Sequence, residues 1–287
     1  MRKEVKITSI ILSGAIMAGG IFSVLPIENE QFQREFLQSS TAETFDREKE
    51  KEIKQEREKA VYGHVHIYYP EKEEEILSLT KDAFEQAMRK NEQLLGNYTK
   101  RQVDAVVLGA QEELTELAGV TDADGYYKDD EKFIGFLLHD KEAILAGEKM
   151  IVFELQSTIM HEYTHYAFRQ RIKDAGIDQS EMPIWFEEGV SEYVGNDSEV
   201  ESKTKILPFS QIKDKKTWDE AKKIENGDIY GQSFLAIDYL IEKYGIEIIQ
   251  DIIKETKKAE SFNKGFYSAT GIEVEELHII LIEEYAS

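Results

Sequence analysis

Two histidines four residues apart in HEYTH (161–165), followed some twenty residues later by PIWFEEGVSEY (183–193), constrain this chain more than any other feature. Residues i and i+4 share one face of an α-helix, so His161 and His165 can meet one metal ion only if that segment is helical. Two imidazoles leave zinc short of a protein ligand, because an open catalytic site normally has three plus water. The second segment supplies carboxylates. Glu188 and Glu192 are four apart and share a face, with Trp185 on the same stripe. One of the two can complete the metal site while the other accepts the free N–H of a ligand histidine. Gly189 removes a side chain beside them, so that two helices can pack closely. Glu187 falls one residue off this register and is expected at the surface. An ordinary amphipathic helix would account for the charges, but not for the glycine or the tryptophan among them.

Composition narrows the chemistry. The chain has no cysteine, so a transition-metal site must use histidine and carboxylate ligands. Its formal net charge of −22 argues against nucleic acid or anionic lipid as partners, since both would be repelled at long range. The same acidity keeps the protein soluble and favours basic or neutral peptides at a cleft. With 14 Phe and 14 Tyr the chain has ample material for a packed core.

The order of elements predicts an α+β protein. MRKEVK followed by ITSIILSGAIMAGGIFSVLP has a basic start and an apolar run, so residues 1–27 are expected to be a signal peptide or an N-terminal membrane anchor, with the remainder exported. Residues 28–60, rich in Glu, Gln, Lys and Arg, are expected as a charged linker or solvated helix. Residues 61–287 then form one domain, an α/β lobe over 61–178 and a helical lobe over 179–287. VHIYYP, VDAVVLG, FIGFLL and KMIVF have strand character. ILSLTKDAFEQAMRKNEQLL, EELTELAG and ELQSTIMHEYTHYAFRQRI have helical spacing, as do PIWFEEGVSEYV, TWDEAKKI, IYGQSFLAIDYLIEKYG, IEIIQDIIKETKK and EVEELHIILIEEY. TDADGYYKDDE is expected as an acidic turn, its glycine too early for an EF-hand. His64 and His66 alternate on a strand and are expected at the surface, while His139 and His278 receive no role.

HEYTH followed by WFEEGVSEY resembles the gluzincin metallopeptidases, particularly the compact bacterial peptidase MA-like group. The resemblance covers most of the chain beyond the N-terminal segments. It implies a zincin-like, two-lobed catalytic domain: a mixed-sheet N-terminal lobe carrying the active-site helix, and a mostly helical C-terminal lobe. It implies one zinc ion held by His161, His165 and Glu188, with Glu162 as the catalytic carboxylate and Glu192 supporting a ligand from outside the metal. IYGQSFLAIDYLIEKYG is similar to the family helix whose tyrosine faces the reacting carbonyl, which points to Tyr230. The implied activity is hydrolysis of peptide or protein substrates by water that zinc activates and a glutamate deprotonates. An edge strand beside the active helix would bind extended substrate, a part that FIGFLL or KMIVF is placed to play. No Gly-x-Met-Glu-Asn type motif is present to capture a free amine, which favours internal cleavage. The alternatives are a catalytically silent zincin-fold binding module at the cell surface, and a scaffold acting through the charged segment. Contact with the membrane is expected only through an uncleaved N-terminal segment.

Overall fold

A computed structural model describes residues 45–71, 74–121, 123–195 and 205–285. The expected signal or anchor at 1–27 and the first part of the charged segment, 28–44, lie outside the described residues. Among the described residues no helix is long and apolar enough to cross a membrane.

From residue 45 onward the charged segment is docked on the globular part. Its helix α1 (Arg47–Gln55) is capped by Asp46, whose side chain accepts from the amides of Glu48 and Lys49. Ile53 is its one buried residue, packed with Val106, Leu108 and Leu114. Lys54 and Arg57 reach Asp104 and Glu113 at 2.5 and 2.8 Å. The chain then enters β1 (Glu58–Tyr62) directly, three residues before the expected domain boundary.

The N-terminal lobe is a five-stranded sheet in the order β1-β2-β3-β5-β4, with β2 (Val65–Tyr69), β3 (Val103–Leu108), β4 (Gly125–Lys128) and β5 (Phe133–Leu137). The inner pairs β2–β3 and β3–β5 are parallel, and both outer pairs are antiparallel. Alternation along β3 divides the two cores. Val103, Ala105 and Val107 face α2 (Glu74–Leu95) and α5 (Lys149–Ala175), whereas Val106 and Leu108 face α1 and α3 (Gln111–Ala118). Left-handed Gly96 and Gly119 stop α2 and α3 where the sequence placed their ends.

Two assignments change, and one strand loses its expected role. KMIVF is the first turn and a half of α5, after the short helix α4 (Lys141–Leu145). An apolar run of four or five residues does not by itself distinguish strand from buried helix. The supposed acidic turn contains β4, because Tyr126 and Tyr127 point to opposite cores. FIGFL is β5, buried at every position and flanked by β3 and β4, so it cannot be the substrate edge; β4 occupies the sheet edge on that side.

The C-terminal lobe is helical: α6 (Ile184–Gly195), α7 (Lys215–Ala221), α8 (Ile229–Tyr244), α9 (Ile248–Ala259), α10 (Phe262–Thr270) and α11 (Val274–Tyr285). Trp185 anchors α6 in an aromatic cluster with Phe209, Phe262 and Phe266. Its neighbour Phe186 meets Phe168 of α5, so one apolar core runs through both lobes. The result is the α+β, two-lobed architecture expected from the order of elements.

His64 and His66 are structural. His64 lies half-buried before β2, 2.9 Å from the Tyr163 hydroxyl and stacked on Tyr166, while His66 is 3.5 Å from Asp104. Burial, aided by the charge of Lys100, lowers the His64 pKa from 6.5 to about 4.

Two predictions follow from this packing. A β-carbon on Gly189 would collide with the Ser233 carbonyl of α8 and lie 2.8 Å from Ile237. Gly189→Ala should therefore destabilise the metal-free protein by about 1–3 kcal/mol in urea titrations; an unchanged midpoint would mean that α6 and α8 are free to separate. For His64, the unfolded chain binds a proton between pH 6.5 and about 4 that the folded chain does not. Stability should thus fall as pH drops through that window, by at most roughly 1.4 kcal/mol per pH unit and less for a half-exposed ring. His64→Gln should flatten that acid limb in a urea–pH series, and an identical limb would assign it to other groups.

Candidate metal centre

The site is built where α5 crosses α6. The segment 157–168 of α5 is buried throughout, pressed between the sheet and the helical lobe. His161 and His165 are one turn apart on it, and their Nε2 atoms lie 3.1 Å from each other. Oε2 of Glu188, from α6, is 3.6 Å from Nε2 of His161 and 3.5 Å from Nε2 of His165. Tetrahedral zinc with bonds near 2.1 Å requires ligand atoms about 3.4 Å apart. The triangle of sides 3.1, 3.5 and 3.6 Å meets that requirement. Among the described residues these three are the one group of His, Cys, Asp and Glu side chains arranged to hold a metal ion. Oε2 of Glu188 is buried and accepts no hydrogen bond, the condition of a donor atom directed at a cation.

Close backbone approach makes the crossing possible. A β-carbon on Gly195 would lie 2.9 Å from Cβ of His161 and 2.9 Å from the Ser157 carbonyl oxygen. Gly189 gives the same freedom on the far side of α6, against α8. The sequence signalled the second of these glycines, and the first ends the helix beyond the motif.

The surroundings of the triangle carry further charge. Oε1 of Glu192 sits 3.2 Å from Nδ1 of His161, as its spacing from Glu188 anticipated. Glu187 departs from expectation: it is buried, with Oε1 3.1 Å from Nδ1 of His165 and 2.7 Å from Nε of Arg169. A helix packed on two sides has no free face for position 187, so the stripe argument that put it in solvent fails.

Glu162 is buried beside the triangle, and its Oε2 has no hydrogen-bond partner. Burial raises its pKa to about 7, against the pull of His161 and His165. Burial disfavours the charged imidazoles too, but Glu192 holds His161 well above its ordinary range and Glu188 raises His165 to about 9. Burial likewise disfavours ionised Glu188, yet the imidazolium of His165 lowers it to about 2. These directions show a pocket whose carboxylates favour positive charge at the two imidazoles, as a site for a cation requires.

Edge strand β4 lies directly against this carboxylate. A β-carbon on Gly125 would come 2.6 Å from Cγ of Glu162 and 2.7 Å from Cγ2 of Thr158. On the opposite side Tyr230, in the first turn of α8, is buried and feels the charges of Glu188, Glu192 and Glu162. Burial keeps its hydroxyl protonated, against the opposing hydrogen bond from Trp218. The Trp218 ring packs edge-on at 5.1 Å, and the Lys222 ammonium lies 5.2 Å from the Tyr230 ring centroid. Sequence reading missed Arg169, Trp218, Lys222 and Gly125, none of which falls within the two motifs.

The acidic stretch shows no converging cation cage among the described residues. Asp124 pairs with His139 at 2.6 Å, and Asp129 accepts from the Tyr127 hydroxyl at 2.8 Å.

Comparison with known proteins agrees with this geometry. The collagenase family model matches residues 30–272. The chain is also 35% identical over 221 residues to the uncharacterized protein YhcO of Bacillus subtilis (strain 168), covering 76% of this chain and 69% of that protein. With both metal-site motifs inside the matched region, the chain belongs to the collagenase family of zinc metallopeptidases (peptidase M9).

Proposed function

We propose that this protein is an exported zinc endopeptidase of gluzincin type, with His161, His165 and Glu188 as ligands and Glu162 as general base. The observation that carries the reading is the buried triangle of donor atoms with an unpartnered carboxylate beside it. Zinc in such a site polarises a scissile carbonyl and lowers the pKa of water towards neutrality. Glu162, with a pKa near neutrality, can take a proton from the attacking water and release it to the departing amine. Tyr230 keeps its proton and is our candidate donor to the developing oxyanion. The approach of β4 to Glu162 supports an extended substrate pairing with that edge. Gly125 lies by Thr158 and Glu162, and Tyr127 packs on Tyr166, so β4 runs in the same sense as α5. A peptide pairing antiparallel to β4 would point its C-terminal side toward Thr158. Export rests on the basic start and apolar run of residues 1–27, and internal cleavage on the lack of an amine-capturing motif.

The test compares the parent with Glu162→Gln on a diverse peptide library, with native and heat-denatured collagen as separate substrates, and with bound zinc measured for both. The variant should keep its zinc and lose roughly 10²–10⁴ of turnover, and the new termini should lie inside the substrates. A parent that holds zinc yet cleaves nothing would instead identify the silent binding module. Tyr230→Phe should retain zinc and lose about 10²–10³ in kcat; unaltered kcat would remove Tyr230 from the mechanism.

A further inference from the structure

The two histidines of the triangle are braced in different ways. His161 has Glu192 at its Nδ1, and neither oxygen of that carboxylate has a hydrogen-bond partner. His165 has Glu187, whose Oε1 is shared with Nε of Arg169. Arg169 follows His165 by one turn of α5, and Glu187 precedes Glu188 on α6. The pair therefore sits directly behind the ligand set and joins the two helices that form it. Both side chains are deeply buried, with 11% of Arg169 and 8% of Glu187 exposed.

Chemistry fixes the direction of the shared bond. An ionised carboxylate only accepts, so it requires the proton of His165 on Nδ1. Nε2 of the neutral ring then carries the lone pair, and Nε2 is the atom facing Glu188 and His161. Arg169 donates from Nε to the same oxygen at 2.7 Å, which fixes where the Glu187 carboxylate sits. Nη1 of Arg169 is buried without a hydrogen-bond partner, while Nε makes the bond to Glu187 and the charge also acts on Asp129 and Tyr127.

We propose that Arg169 and Glu187 are a positioning pair for His165: Glu187 fixes its tautomer and ring orientation, Arg169 holds the Glu187 side chain in place, and together they set how tightly the centre retains zinc. The inference rests on the reading of His161, His165 and Glu188 as ligands and concerns metal retention, not the chemistry at the carbonyl. Glu192, with Oε1 3.2 Å from Nδ1 of His161, occupies the corresponding place beside the other histidine.

The experiment uses the full chain and measures zinc affinity by competition with a chromophoric chelator. Visible absorption of the cobalt-substituted proteins and the melting temperature of the metal-free proteins accompany it. Glu187→Ala should weaken zinc binding by about 10–100-fold and change the cobalt spectrum. Glu187→Gln should lose less, because an amide oxygen can still accept from Nδ1. Arg169→Met should weaken zinc in the same direction, with His161 and Glu192 unaltered. If Glu187→Ala fails to fold, Glu187→Gln and Arg169→Met decide the matter, since both must bind zinc less tightly than the parent. A lower melting temperature with parental zinc affinity and cobalt spectrum would overturn the proposal and leave the pair as a tie between α5 and α6. A parent that binds no zinc would overturn the ligand assignment itself, an outcome distinct from variants that bind as the parent does.

Discussion

The centre depends on how closely the backbones of α5 and α6 approach. Histidine and glutamate are short, and their donor atoms meet within 3.6 Å only if the helices cross without intervening β-carbons. Gly195 provides that against α5 and Gly189 against α8, so α6 is held between two helices with no slack on either side. The aromatic cluster around Trp185 fixes the start of the same helix. Glu188 and Glu192 thus project from an element that packing has already immobilised. Such rigidity suits a metal site, whose affinity is lost when supporting groups leave the ligands free to turn.

The buried charges show what this arrangement serves. Glu162, Glu188 and Glu192 all carry buried oxygens without hydrogen-bond partners, close to two imidazoles. Left to itself such a group is a liability, because desolvation takes from each carboxylate more than imperfect pairing returns. Against the effect of burial, Glu188 raises His165 to about 9 and His165 lowers Glu188 to about 2, so the pocket favours positive charge at its centre. A divalent cation held by His161, His165 and Glu188 would supply that charge and give the unpartnered Oε2 of Glu188 a partner. Nothing in the folding of α5 and α6 requires these residues, since an apolar set of the same volume would pack the crossing as well.

Much of this was legible in the sequence, for identifiable reasons. HEYTH was readable because the spacing of its histidines is one helical turn, Glu188 through the resemblance to the gluzincins, and Gly189 because a glycine among large residues marks a close contact. Helix ends at Gly96, Gly119 and Gly245 were readable from local chemistry. The failures arise where tertiary context decides. KMIVF resembles a strand over five residues, yet it continues without a break into the active-site helix. Residues 47–60 look like a solvated tether, but Ile53 and the ion pairs of Lys54 and Arg57 dock α1, and residues 58–60 pair with β2. Glu187 looks exposed on a helical wheel drawn for one buried face, whereas α6 has buried contacts almost all round. Arg169, Trp218 and Lys222 converge from positions that no local pattern connects.

The strand that matters most was hidden by its acidic neighbours, although the sequence held a clue to it. A continuous apolar run such as FIGFL marks a strand covered on both faces and flanked on both sides, which argues against an edge. The edge must then come from the segment that pairs with it, and GYYK is the available neighbour. Gly125 opens that strand because Glu162 and Thr158 leave no room for a side chain. The space where a side chain at position 125 would sit is taken by Cγ and Oε1 of Glu162, so strand and carboxylate are packed against each other. On the proposed reading, the edge that aligns an extended peptide and the group that deprotonates water are thereby fixed together. A side chain at 125 would then impair alignment and proton transfer at once, with the triangle of ligands untouched.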